Sequence, residues 1–148
     1  MATEIIGSMR FLLDQLVEGI PGVVGALVAS VDGFALASNV PVDLPSTDAA
    51  GLAAMSAAAL GVSNRLVGAV GREPAGEVTL RSPSGHVVVC RIANVAALTV
   101  LTDASTDVEQ VVVVSRMVTD GIEQLLRNAA SGPAPHAWPD PTPGIELT

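Results

Sequence analysis

The sequence predicts an α+β fold in which a five-stranded antiparallel sheet is sandwiched by helices, in the order helix, two strands, helix, three strands, helix. Three observations carry this expectation. Apolar residues recur at helical spacing over residues 8–20, five strand-length apolar runs fall in groups of two and three, and residues 49–64 form an uncharged Ala-rich stretch between the groups.

In the first segment Met9, Leu12, Leu13, Leu16, Val17 and Ile20 form one stripe, with Asp14 and Glu18 on the other side. Ser8 is placed to cap this helix, and Gly19 with Pro21-Gly22 ends it, because proline disfavours helical geometry in the residue before it. Residues 23–31 then read as a strand whose two alternating sets are both apolar or small, as in a strand covered on both faces. Asp32-Gly33 before Phe34 to Ser38 is a hairpin signal, expected as a type I′ turn. After Pro41 and Pro45, Ser46-Thr47-Asp48 offers capping side chains for a helix reaching about Val70, since Ala is the best helix former and a poor strand former.

Pro74 lies in the break at residues 71–76, and three short runs follow. Residues 77–81 alternate, with Val78 and Leu80 apolar against Glu77, Thr79 and Arg81. Ser82-Pro83-Ser84-Gly85 has the residue preferences of a type I turn, and residues 86–92 and 97–102 supply the last two strands. Thr106-Asp107-Val108-Glu109 has the form of a capping box. Val111 to Val114 is locally strand-like, but Val108, Val111, Ser115, Val118, Ile122 and Leu125 keep a helical stripe, so the segment is predicted helical. Residues 1–128 are therefore expected to form one domain. Residues 129–148 hold five of the ten prolines and are expected to be a disordered tail that includes Trp138.

Composition excludes several classes of function. A chain of 148 residues with 49% hydrophobic and 15% charged residues can bury a core. Its net charge is -8 and all seven basic residues are Arg, so nucleic acid and anionic membrane surfaces are not expected partners. Without Lys there is no Gly-Lys-Ser/Thr phosphate loop, and the chain is not itself a nucleotide hydrolase of that kind. His86 falls in a strand pattern and His136 in the tail, neither beside a nucleophile motif or at metal-ligand spacing. Asp103 and Asp107 read as charges complementing a helix amino terminus. The single Cys90 reads as a small buried hydrophobe, consistent with a reducing cytoplasm. No catalytic residue, metal or cofactor is expected. The amino terminus lacks a secretory pattern, and Arg65 ends the uncharged stretch before the 18 or more apolar residues of a spanning helix, so a soluble, cytoplasmic protein is expected.

In the Ala-rich helix Ala49, Ala53, Ala57 and Gly61 form one small-residue column, and Ala50, Ala54 and Ala58 a second. Such columns let helix backbones approach closely. With Leu52, Met55, Leu60, Leu66 and Val67 the helix is apolar around most of its circumference, more than one sheet can cover. A second copy is expected to cover the rest, with Ala53, Ala57 and Gly61 at the interface. If residues 77–81 are an edge strand, Val78 and Leu80 would extend that interface, since an open edge is a template for pairing. Asn64 and Arg65 make a donor-rich patch beside the expected seam and are candidate partner-binding residues.

The run Leu12-Leu13-Asp14-Gln15-Leu16-Val17-Glu18-Gly19-Ile20-Pro21-Gly22-Val23, continued by Ala26 to Ala37 through Asp32-Gly33, resembles the roadblock (dynein light-chain) family, especially its small stand-alone bacterial members. The resemblance spans residues 8–128 and rests on the ordered set of elements. It implies a roadblock/profilin-like homodimer with paired central helices and joined third strands. It also implies a non-catalytic regulator, adaptor or scaffold binding a Ras-like small GTPase, in bacteria often beside a sensor-kinase-like protein. Two alternatives remain: a small-ligand sensory module of similar architecture, and a purely structural dimeric scaffold.

Overall fold

The computed structural model describes residues 2–130. The element order is α1 (Ala2–Gly19), β1 (Val23–Ser30), β2 (Ala35–Asn39), α2 (Ala49–Ala69), β3 (Glu77–Ser82), β4 (Gly85–Ile92), β5 (Ala96–Asp103) and α3 (Val108–Ala130). The strands form one antiparallel sheet in the order β2-β1-β5-β4-β3, as the sequence predicts. Helix α3 runs to Ala130, past the expected boundary at 128, and the tail proper lies outside the described residues.

Alternation along the strands sorts the interior into two layers. Ala26, Val28, Val88, Ile92, Leu98 and Val100 point to the side covered by α1 and α3 and make the larger core with Met9, Leu13, Leu16, Val111 and Ile122. Leu27, Ala29, Val89 and Ala97 point to the other side, which α2 alone covers through Ala53 and Leu60. Both faces of β1 are thus buried, apart from Val24, which a register irregularity between Val23 and Gly25 turns outward. Beneath α2, the buried Thr99 hydroxyl donates to Ser56 Oγ at 2.7 Å, and Ser56 in turn donates to the Leu52 carbonyl at 2.8 Å. This chain of bonds fixes where the helix sits on the sheet.

Local chemistry departs from expectation at three places, the start of α1, the β1–β2 turn and the start of α3, while the Ser46-Thr47-Asp48 run caps α2 as predicted. Helix α1 begins before Ser8, because its stripe continues upstream through Ile5, which packs on the core. The β1–β2 hairpin is not type I′. Gly33 N–H bonds the Ser30 carbonyl at 2.9 Å over Val31-Asp32, and of the turn residues Gly33 alone takes positive φ, the pattern of a type I turn followed by a left-handed glycine. Asp48 is the α2 cap, accepting from Gly51 N–H at 2.9 Å. The capping box at α3 does not form. Asp103 takes the Thr106 hydroxyl at 2.9 Å, Arg81 takes the Glu109 carboxylate at 2.8 Å, and Asp107 accepts from Glu109 N–H at 3.1 Å in their stead. Hydrogen bonds from Ser105 and Thr106 hold the Asp103 carboxyl below its ordinary pKa.

At 21 residues, α2 continues past Arg65 and is long and apolar enough to cross a membrane by composition alone, contrary to the expectation that Arg65 ends such a stretch. Its Ala53, Ser56 and Leu60 are instead buried on the sheet.

Two stability predictions follow from this layer structure. Ser56→Ala strands the buried Thr99 hydroxyl and should cost about 1–3 kcal/mol, whereas Thr99→Val leaves Ser56 bonded to Leu52 and should cost clearly less. The double variant should be no less stable than Ser56→Ala in urea unfolding; additive losses would contradict the bond's role. Burial pushes the Cys90 thiol from 9.0 up to about 11, with the nearby Glu77 charge adding to it. The folded state therefore favours the neutral thiol. Stability should fall as pH rises through that window, because the unfolded chain loses the proton first. At pH 8 a thiol reagent should leave native Cys90 unlabelled and react on unfolding; rapid native labelling would refute its burial.

Candidate interaction surface

The α2 layer leaves a run of large apolar side chains open. Helical geometry turns Ala53, Ser56 and Leu60 toward the sheet and leaves Met55, Val62, Leu66 and Val70 more than half exposed. Beside the helix, Val78 pairs with Val89 and Leu80 with Val87, so both strand side chains share the face that α2 covers. Val78 is half-buried against Leu60's cluster, while Leu80 is 53% exposed. β3 is an edge strand, so its outer N–H and C=O groups are open on the same side of the molecule.

The charges on β3 do not guard that edge. Glu77 accepts from Arg116 at 2.7 Å and Arg81 donates to Glu109 at 2.8 Å, so both charges pair with α3 on the opposite face. Exposed pairs of this kind contribute little stability each. Their effect is positional, because they leave the α2 side of β3 without charge.

The predicted interface residues divide. Ala53 is fully buried against Leu27 and Ala29 and is not available to a second copy; that correction follows from its being in phase with Ser56 and Leu60. Ala57 and Gly61 are half-buried on one flank of α2, where they line two clefts under the β1–β2 hairpin. The outward small column is Ala54 and Ala58. Part of the small-residue pattern serves the chain's own turn, for a Cβ on Gly33 would lie 3.2 Å from the Ala54 Cα. The spacing with Ser56 and Leu60 was the signal that could have separated the two columns.

The candidate partner-binding pair also divides. Asn64 Oδ1 accepts from Ala75 N–H at 3.0 Å and so holds the chain leaving α2. Arg65 is exposed, has no ion pair among the described residues, and lines a groove with Asp32 and Gly33. Sequence reasoning missed the exposed tips of two turns, Val31 and Phe34 in one and Val95 in the other, which the Val31 N–H to Val95 carbonyl bond of 3.0 Å brings together. It also missed Arg91, whose Nη1 donates to Asn94 Oδ1 at 3.0 Å beside them.

Among the described residues no group of three or more His, Cys, Asp or Glu side chains could hold a metal. His86 lies in β4 as expected, its Nδ1 buried without a hydrogen-bond partner among the described residues, and Cys90 is buried in the larger core. The open surface on the α2 side consists of apolar and small side chains, with Arg65, Arg91, Asn94 and Asp32 beside the clefts.

The fold is shared with solved structures. Myxococcus xanthus MglB superposes with a TM-score of 0.75 at 13% identity, over 83% of this chain and 90% of that one. An MglB in a tetrameric arrangement gives 0.74 at 16% identity, over 84% and 92%. A Roadblock/LC7 domain from Streptomyces avermitilis gives 0.69 at 19% identity, over 80% and 97%. No curated protein matches at the level of sequence. Residues 10–102, from within α1 to the last residue but one of β5, match the family model of the Roadblock/LC7 domain. The chain belongs to the Roadblock/LC7 family.

Proposed function

We propose that this protein is a cytoplasmic, non-catalytic homodimeric regulator or scaffold that binds a Ras-like small GTPase in bacterial signalling. The observation that carries the proposal is the uncovered apolar side of α2 next to the open edge of β3, in a chain of this family. A surface of that kind suits a second copy, whose α2 would cover Met55 and Leu66 while its β3 meets Leu80 and Val78. The dimer then presents the polar end of each α2, with Arg65 beside Asn64, to the GTPase. The lack of any Lys supports a role that acts on another protein's nucleotide site rather than supplying one.

Dimerisation is tested by light scattering after size exclusion at micromolar concentration. The wild type should run at twice 14.9 kDa, and Leu66→Asp or Leu80→Asp should shift it toward the single chain while leaving the circular dichroism unchanged, since both side chains are exposed. A wild-type monomer, or both variants remaining dimeric, would overturn this surface.

GTPase binding is tested by capture of purified Ras-like GTPases from the same cell, loaded with GDP or a GTP analogue. One should be retained, and Arg65→Glu should weaken retention by about tenfold without altering the dimer. Retention of none in either nucleotide state defeats the GTPase proposal; unchanged retention by the variant removes Arg65 from the contact.

A further inference from the structure

The seven arginines are not distributed alike in their partners. Arg10, Arg81, Arg116 and Arg127 each pair with a carboxylate, on Asp14, Glu109, Glu77 and Glu123. Arg65, Arg72 and Arg91 pair with none of the acidic side chains among the described residues. Arg65 lies in the last turns of α2 and Arg72 just after it, while Arg91 lies at the end of β4, facing the same flank. A chain of net charge -8 thus keeps two of these cations, Arg65 and Arg91, around one place.

That place is a cleft. On one side of the β1–β2 hairpin tip, a hollow of about 230 Å³ is walled by Val31, Leu60, Gly61, Pro74 and Arg91. On the other, a groove of about 390 Å³ runs between Asp32 and Arg65. The two share Val31, Ala57 and Gly61 as lining residues, so they adjoin one another beneath the tip. Arg91 is held in place without being neutralised, because Asn94 Oδ1 takes one Nη1 donor at 3.0 Å and leaves the rest of the guanidinium fork free. Exposed Val31 lines both the hollow and the groove, and its N–H bonds the carbonyl of exposed Val95 at 3.0 Å.

We propose that this cleft receives an acidic–apolar segment of a partner protein, with an Asp or Glu carboxylate on Arg91 and a neighbouring aliphatic side chain against Val31 and Val95. A fork held by a neutral amide suits bidentate recognition of a carboxylate. Asp32, which lines the Arg65 arm, opposes a dianionic phosphate more than a singly charged carboxylate. The proposal deepens the GTPase reading by giving the chemistry of the contact, and rests on it only for which protein presents the segment.

The test uses the full chain labelled with nitrogen-15 and titrated with the capped peptide Leu-Glu-Asp-Leu, its Leu-Gln-Asn-Leu counterpart, and inorganic phosphate. The acidic peptide should shift the amides of Gly61, Arg91, Asn94 and Val95, the neutral peptide should bind at least about tenfold more weakly, and phosphate should leave these amides in place. Arg91→Gln should abolish the acidic peptide's shifts, and Arg91→Lys, with the charge but not the fork, should restore only part of them. No shifts at millimolar peptide, equal shifts from the two peptides, stronger binding of phosphate, or full binding by Arg91→Gln would each overturn the proposal. In GTPase capture, Arg91→Gln should lose about tenfold and flatten the salt dependence. Capture by the wild type and the variant alike refutes the cleft but not the GTPase; peptide binding at the cleft with no GTPase retained refutes the GTPase but not the cleft.

Discussion

A five-stranded sheet is about 20 Å across, while a helix with its side chains is about 10 Å wide. Two helices can therefore cover one face and one helix cannot cover the other. This imbalance governs the molecule. On the α1/α3 side the sheet meets two amphipathic helices and the strand residues Val28, Val88, Leu98 and Val100 are sealed. On the α2 side burial is complete only in a band across the middle strands, from Leu27 and Ala29 through Ala97 and Thr99 to Val89. Beyond it lie Val78, Leu80 and Val87, still apolar but only partly covered.

The single helix on that side is built for close contact rather than for bulk. Ala53 against Leu27 and Ala29, and Ser56 against Thr99, bring the α2 backbone close to the sheet, where larger side chains would lift it away. A buried hydroxyl pair is costly unless satisfied, and here each hydroxyl has its partner, so the pair discriminates one seating of the helix from slipped ones. Close seating in turn leaves the large residues of α2, Met55, Val62 and Leu66, nowhere to go but outward.

The order of elements and the sheet were legible because they rest on periods: three-and-four spacing in α1 and α3, alternation in β3, and apolar runs on both faces of β1. Even the Val111 to Val114 run, a strand by propensity, is helix because its stripe continues to Ile122. What the sequence hid was pairing among polar groups. Thr106 and Glu109 satisfy a capping pattern that fails because Asp103 and Arg81, from a loop and a distant strand, compete for the same side chains. Ala53 and Ala54 look alike in a run of alanines, and only the phase relative to Ser56 and Leu60 tells which one is buried. Arg91 had no local signal, since its role depends on the turn that places Asn94 and Val95 beside the α2 flank.

The two sheet edges show how the same sequence treats an edge it closes and one it leaves open. At β2, Asn39 donates to Asp14 of α1 at 2.8 Å and Pro41 follows at once, removing an N–H donor just past the strand. At β3 there is no proline, and the strand's Glu77 and Arg81 turn to α3. An edge strand whose charges all point to one face presents open backbone and apolar side chains on the other. That other face is the one α2 leaves half covered, so the unpaired backbone of β3, Leu80 and the outer side of α2 fall on one contiguous surface. Covering any one of them with a second chain draws in the other two.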